Sequence, residues 1–292
     1  MNAMKIVYLG TDAFLACFLW LIQEHDIMAL YTCCGDEDFF RNFQIVSEAK
    51  KRGIPVYDHT ITTEEEQVWI AKGCELFVSA DYGRKIPLLP ESQGFYGINI
   101  HESLLPEGRS YCPVECAMER GLSRTGVTIH KLSEEFDCGD ILLQEEVEIY
   151  EEEDSVDLYL KCERMACLLL RRLLAEMTGY WSQAMPQKQR LPYWRIEHIK
   201  EARLSHDLSV TEARRRYRLY NRMVRVRFGE KIFFVKSMVS SRTKLSYEEC
   251  DLGDIRLYSL RDGHLRLGLI AASDPAVWEA KSYPFRKSGR EA

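Results

Sequence analysis

"MKIVYLG" (residues 4–10), "TDAFLACFLWLIQEH" (11–25) and "DIMALYTCC" (26–34) stand in direct succession. The first is a short apolar run ending in Gly10. The second opens on Thr11, a residue that caps helices, and carries apolar positions at helical spacing. The third is again an apolar run. A buried strand, a helix and a second buried strand follow one another within about 30 residues, which is the βαβ pattern. Neither strand alternates polar and apolar residues, so both of its faces are expected to be covered.

The pattern continues. "DEDFFRNFQIVSEAKKRG" (36–53) reads as a helix stopped by Gly53, with Lys50, Lys51 and Arg52 in its last turn. "IPVY" is a third strand, "TEEEQVWIAKG" a helix, "CELFVSA" a fourth strand and "GINIH" a fifth. The expectation is an α/β domain with a doubly wound, mainly parallel sheet. Ligands bind such sheets outside the carboxyl ends of the strands. Two of those ends are unusually polar: "SADYGRK" after strand four and "NIHESLLPEGR" after strand five.

Further on, "CPVECAMERG" is a helix, and "TGVTIHKL" and "GDILLQEEVEI" are strands separated by "SEEFDC". A long amphipathic helix covers 154–177. After Gly179 the texture changes, and "QAMPQKQRLPYW" (183–194) reads as a linker with two prolines and no periodicity. Beyond it a helix is expected near 209–222, then short strands with tight turns at "GE" and "RDGH". The domains are therefore expected to be 1–180, and 181–292 as a smaller, mostly β, OB-like domain.

Composition excludes several classes. The 292 residues are 46% hydrophobic, enough for a core. No apolar run approaches the roughly 20 residues of a membrane span. "AFLACFLWLI" lacks a basic flank and a cleavage site, so it reads as a buried helix of a cytoplasmic protein rather than a signal peptide. Ten cysteines include no C-x-x-C pair, so reduced thiols are expected, with no metal site. No G-x-G-x-x-G follows the first strand, and no P-loop, H-E-x-x-H or G-x-S-x-G occurs.

Charge is uneven. Residues 195–245 hold 14 Lys or Arg against 5 Asp or Glu, while the whole chain is −6, so the remainder carries −15. "EARRRYRLYNR" places Arg214, Arg218 and Arg222 at i, i+4 and i+8. Like charges so placed disfavour an isolated helix by roughly 0.2–0.5 kcal/mol per pair. RNA phosphates would offset that. Acidic residues of the first domain or of a second subunit would do so equally, and a homodimer fits the latter.

Asn99 and His101 sit two apart on an extended segment, so they share a face. Asp137 lies in a loop between two strands and precedes Gly139 at one residue's remove. A carboxylate reaching a histidine orients the ring and favours its charged form. An amide and an imidazole that donate hydrogen bonds suit an acyl-type centre whose oxygen becomes negative. No serine or cysteine is evidently activated, which favours direct transfer over a covalent intermediate.

The motifs N-x-H-x-S-L-L-P, T-G-V-T and D-x-G-D-I-L-x-Q, with "IVYLGT" and "ADYGRKIP" before them, closely resemble the 10-formyltetrahydrofolate-dependent formyltransferases. These include methionyl-tRNA, glycinamide ribonucleotide and sugar N-formyltransferases. The resemblance covers about residues 4–178 and fades beyond. It implies a Rossmann-like catalytic domain in which Asn99 and His101 polarise the formyl oxygen. Asp137 would hold His101 and help relay the amine's proton. 10-Formyltetrahydrofolate, the formyl donor, would lie between Tyr82, Arg84, Lys85 and Ile86 on one side and Leu132, Ser133 and Glu134 on the other. Ser103, Leu105 and Pro106 would shape the acceptor side, with Arg109 and Tyr111.

The acceptor is less constrained. The tRNA enzymes resemble one another in a long basic insertion after strand two, where this chain reads "CCGDEDFFRNFQ", short and acidic. Such a loop repels phosphates. "RSYCP" also stands where that family has "RGAAP". The first expectation is therefore a primary amine on a nucleotide-linked amino sugar, whose diphosphate would want Arg109 or another cation. Methionyl-tRNA is the alternative, and a non-catalytic folate- or RNA-binding relative is a third reading. Intact Asn99, His101 and Asp137 argue against that third reading.

Overall fold

The computed structural model describes residues 3–32, 43–87, 95–195, 202–221, 224–253 and 255–271. The acidic stretch 33–42 and Arg222 lie outside the described residues. The chain divides into two compact units. The first comprises Met1–Ala117, Leu122–Ile149 and Tyr159–Trp194, and the second Met118–Gly121, Tyr150–Leu158 and Arg195–Ala292. The first unit therefore runs to Trp194, past the boundary expected at 180.

The first unit is built on seven strands: β1 (Lys5–Gly10), β2 (Asp26–Tyr31), β3 (Val56–Tyr57), β4 (Leu76–Ala80), β5 (Tyr96–His101), β6 (Arg124–Lys131) and β7 (Ile141–Glu148). Their order is β3-β2-β1-β4-β5-β6-β7. The first five pair in parallel, and β6 and β7 extend the sheet antiparallel. The doubly wound reading of the sequence is the observed architecture. The strand order reverses between β1 and β4, which is where such sheets open a crevice.

The helices between the strands are α1 (Leu15–Glu24), α2 (Phe43–Lys51), α3 (Thr63–Ala71), α4 (Pro113–Glu119), α5 (Ser155–Ala175) and α6 (Met177–Ser182). Local chemistry fixes their starts. Thr62 and Glu65 close a capping box on α3. Asp12 accepts from the backbone N–H groups of Gln44 and Ile45, which anchors the first turn of α2 to the loop after β1. β1 and β4 are buried along nearly their whole length, as continuous apolar strands covered on both faces must be.

The second unit holds a sheet ordered β11-β12-β13-β10-β9-β8, with strands β8 (Arg203–Leu204), β9 (Arg225–Phe228), β10 (Lys231–Ser241), β11 (Glu249–Asp251), β12 (Arg256–Leu260) and β13 (Gly263–Ala271). Both expected hairpin turns are present: Phe228 pairs with Lys231 and Leu260 with Gly263. Its helix α7 (Val210–Tyr220) is shorter than the 209–222 expected, and Ser209 with Glu212 forms its capping box. Two of its arginines are engaged inside this unit. Arg216 donates to the Arg203 carbonyl and Arg218 to that of Tyr150.

No helix among the described residues is long and apolar enough to cross a membrane.

Candidate active site

The carboxyl end of β5 delivers Asn99 and His101, and the loop between β6 and β7 delivers Asp137. His101 Nδ1 lies 3.5 Å from Asp137 Oδ1. On the other side of the ring, His101 Nε2 donates to the Gly108 carbonyl at 2.9 Å. The Nε2 edge of the ring is thus committed to a carbonyl, and the Nδ1 edge faces the Asp137 carboxyl. His101 and Asp137 are 4% and 8% exposed, which strengthens their attraction over that of a surface pair.

Asp137 reaches this position through an unusual backbone. Its φ is 59°, in the left-handed region. Two residues on, a Cβ at Gly139 would sit 1.8 Å from the Lys131 carbonyl oxygen and 3.1 Å from His130 Nδ1. Gly139 reads in the sequence as turn-permissive. Its observed constraint is close approach to β6, and the residue at positive φ is the aspartate.

His130 is a site residue that pattern reading missed, because "TIHK" reads as plain strand. It stands directly opposite Asn99 in the β5–β6 pair. Its Nδ1 donates to the Lys131 carbonyl at 2.7 Å. Burial pushes its pKa down to about 4, so the ring is neutral and Nε2 carries a lone pair. The Asn99 amide donates to that lone pair at 3.1 Å, which fixes which way the amide faces.

These groups open onto a cleft of about 770 Å³, counting its open mouth, whose walls include Tyr82, Ile86, Leu132, Phe136 and Tyr193. The expected donor residues line it: Tyr82, Arg84, Lys85 and Ile86 on one side, Leu132, Ser133 and Glu134 on the other. Several of their side chains are already committed. Tyr82 donates to the His59 carbonyl at 3.4 Å, Arg84 to that of Asp58, and Ser133 to that of Glu135 at 2.7 Å. The apolar walls and the polar end with Asn99, His101 and Asp137 suit a flat heteroaromatic ligand bearing a reactive carbonyl.

The expected acceptor-side residues separate. Tyr111 lines the cleft. Ser103, Leu105, Pro106 and Arg109 are not part of its wall. Ser103 donates to the Glu107 carbonyl at 2.7 Å, and Thr128 Oγ1 donates to the Ser103 carbonyl at 2.6 Å. Gln144 Nε2 donates to the Leu105 carbonyl at 2.9 Å. This buried turn, with a cis Leu105–Pro106 bond, supports the strand end from behind. Arg109 spends both Nε and Nη2 on the Phe136 carbonyl, at 3.3 and 2.9 Å.

The segment 183–194, read as a linker, is a wall of the site. Gln187 donates to the carbonyls of Asp137 and Gly139 at 3.0 and 2.8 Å. Arg190 pairs with Glu135 at 2.8 Å. The Tyr193 ring lies 5.4 Å from that of Tyr111, and the Trp194 N–H donates to the Arg109 carbonyl at 2.7 Å. Burial pushes the Tyr193 hydroxyl pKa far up, so it stays a donor. No periodicity marks this segment, and only its aromatic pair hints at a packed role.

Residues 44–173 match the family described as Formyl transferase. This part of the chain is similar to the formyl transferases. A methionyl-tRNA formyltransferase of Listeria innocua is 33% identical over 180 residues, 59% of this chain and 58% of that protein. A second, of Bacillus mycoides, is 33% identical over 178 residues, 58% of this chain and 57% of its own length. The chain thus spans under two thirds of the curated relatives it matches. Among solved structures, HypX from Aquifex aeolicus in complex with tetrahydrofolic acid aligns with TM-score 0.61 at 15% identity, over 91% of this chain and 44% of that one. An N-formyltransferase from Helicobacter canadensis, in complex with folinic acid and dTDP-3-aminofucose, aligns with TM-score 0.54 at 14% identity, over 91% and 100%. The match ties the formyl transferase motifs to the strand ends that form the cleft.

Proposed function

We propose that this chain transfers a formyl group from 10-formyltetrahydrofolate to the primary amine of a small acceptor, in first place a nucleotide-linked amino sugar. The observation that carries the reading is the convergence of Asn99, His101 and Asp137 at one end of a cleft in a formyl transferase domain. The donor supplies an electrophilic formyl carbon. Asn99, aimed by His130, acts on the formyl oxygen through its second amide N–H, and His101, held by Asp137, acts on it by exchanging its Nε2 contact with the Gly108 carbonyl for one to that oxygen. Preorganised donors of this kind stabilise the oxygen as it becomes negative, typically by about 3–4 kcal/mol each. Asp137 keeps His101 in its donating state and is placed to receive a proton from the amine. Tyr82, Arg84, Lys85 and Ile86, with Leu132, Ser133 and Glu134, hold the donor largely through backbone and apolar contact. Tyr111 and Tyr193 border the acceptor side. Ser103, Leu105 and Pro106 shape it indirectly, by fixing the turn that follows His101.

The sugar reading is supported by the Helicobacter canadensis neighbour, whose complex holds dTDP-3-aminofucose. Methionyl-tRNA formylation is the second reading, and the names of the 33% identical relatives favour it. The discriminating experiment offers 10-formyltetrahydrofolate with amino-sugar nucleotides in one series and methionyl-tRNA in another, and measures formylated product. Efficient transfer to the sugar nucleotides is expected. Efficient transfer to methionyl-tRNA alone would replace the first reading with the second.

A further inference from the structure

Two cysteines far apart in the sequence come together where α1 packs on α5. The helices meet through residues 16 and 20 of α1 and residues 163, 167 and 171 of α5. Glu163 accepts from the Ala16 backbone N–H at 2.7 Å. Cys167 Sγ lies 4.0 Å from the Ala16 carbonyl oxygen. One turn further along both helices, the Arg171 guanidinium carbon lies 5.2 Å from the centroid of the Trp20 ring. The Ala16 carbonyl belongs to the peptide that joins Ala16 to Cys17. The Cys167 sulfur therefore lies against the backbone of Cys17, and each thiol is the other's hydrogen-bond partner. Neither residue is part of the cleft wall, and formyl transfer leaves both unused.

The two thiols are free but not alike. Cys17 is 0% exposed, whereas Cys167 is partly open to solvent. Arg171, one turn along from Cys167, also hydrogen-bonds its sulfur. The hydrogen bond from Cys17, and then the charge of Arg171, pull the Cys167 thiol down against the effect of burial. The hydrogen bond to Cys167, and then burial, push the Cys17 thiol up. An accessible sulfur that ionises readily can attack an oxidant. A second, protected sulfur beside it can then resolve the product before it oxidises further.

We propose that Cys17 and Cys167 form a redox site in which a small hydroperoxide oxidises Cys167 and Cys17 then closes a disulfide between α1 and α5. In the first step the Cys167 thiolate attacks one peroxide oxygen. The S–O bond forms and the O–O bond breaks. The departing oxygen keeps that electron pair, takes a proton and, for hydrogen peroxide, leaves as water. Cys167 is now a sulfenic acid. In the second step the Cys17 sulfur attacks the Cys167 sulfur. The S–S bond forms, the S–O bond breaks, and the Cys17 proton leaves with the hydroxyl as a second water. The two thiols together lose two electrons and the peroxide gains two. A thiol reductant returns both sulfurs to their starting form by exchange.

The test uses the full chain, reduced and then freed of reductant. It is treated with hydrogen peroxide, and the remaining thiols are counted in denaturant. Two of the ten are expected to disappear and to return with dithiothreitol. Mass spectrometry of the unreduced digest is expected to show one linked pair of peptides, carrying Cys17 and Cys167. Two variants separate the steps. Cys17→Ala, which removes only the resolving thiol, is expected to leave a Cys167 sulfenic acid that dimedone labels, while wild type is labelled little. Cys167→Ser is expected to lose the link and to slow peroxide consumption by about tenfold or more. The wild-type peptide map needs neither variant to fold. Loss of no thiol overturns the proposal, as does a digest in which Cys17 and Cys167 are not linked. So does dimedone on Cys138 or Cys250 with Cys167 unlabelled in the Cys17→Ala protein.

Discussion

Asn99 and His130 face each other across the antiparallel pair of β5 and β6, with the amide nitrogen 3.1 Å from the ring's Nε2. The contact sets the orientation of one amide and the tautomer of one ring together, since His130 Nδ1 is committed to the Lys131 carbonyl. An amide free to flip would present nitrogen or oxygen to the formyl group with similar ease.

His130→Leu is therefore expected to lower kcat by about 10- to 100-fold with little change in donor affinity, measured in steady-state formyl transfer. The same variant has a stability signature. His130 titrates at about 4 in the folded protein against 6.5 as a free group, so the unfolded chain binds the extra proton first. Stability therefore falls as pH drops from about 6.5 towards 4, by up to roughly 3 kcal/mol. Denaturant unfolding at pH 7 and pH 4.5 is expected to show a smaller pH difference for His130→Leu than for wild type.

His101→Ala and Asp137→Asn test the central pair. The alanine removes a donor to the developing oxyanion. The asparagine leaves a neutral partner 3.5 Å from Nδ1 in place of a carboxylate. Both variants are expected to lose at least about 10³-fold in kcat while remaining folded. Retention of activity within tenfold in either would sink the assigned mechanism.

Much of this was legible before the fold was known. Continuous apolar strands spaced by helical runs gave the parallel sheet, because only a sheet covered on both faces tolerates them. Asn99 and His101 were legible because alternate residues of a strand share a face. His130 was not, since a lone histidine in an apolar strand looks the same whether or not a partner strand brings an amide opposite it. The 183–194 segment failed because prolines and missing periodicity describe a chain without regular structure, not one without contacts.

Gly139→Ala isolates the close approach of the Asp137 loop to β6. The added methyl would meet the Lys131 backbone at 1.8 Å, and a carbonyl on a strand cannot step aside as a flexible side chain can. Either β6 or the loop must move, and His130 and Asp137 sit at those two places. The expected result is a loss of about 2–4 kcal/mol in stability. Activity should fall further than the folded fraction explains, checked by comparing kcat per folded molecule with wild type.

Tyr193→Ala tests whether the segment after α6 belongs to the site. The ring packs against Tyr111 and beneath the Arg109 guanidinium, 6.0 Å away, and borders the cleft. Its removal widens the acceptor side without touching Asn99, His101 or Asp137. The acceptor KM is expected to rise about tenfold with kcat changed by less than threefold. Donor binding, followed separately by tetrahydrofolate titration, should stay as in wild type. An unchanged acceptor KM would return the segment to the role of a linker.

Glu66 offers a test of packing energetics away from the cleft. It sits in the first turn of α3, 1% exposed, and its Oε1 has no hydrogen-bond partner among the described residues. Burial raises its pKa to about 7. The sign follows from proton counting. Between about 4.5 and 7 the folded protein holds a proton that the unfolded chain has released, so stability falls as pH rises through that window. The cost of keeping the ionised group buried above pH 7 is on the order of 1–3 kcal/mol. Glu66→Gln removes it and keeps the side chain's size. The variant is expected to be more stable than wild type at pH 8, and the two should converge near pH 4.5. Thermal or denaturant unfolding across that range measures the difference, and a variant less stable than wild type at pH 8 would show that the carboxylate is compensated by groups around it.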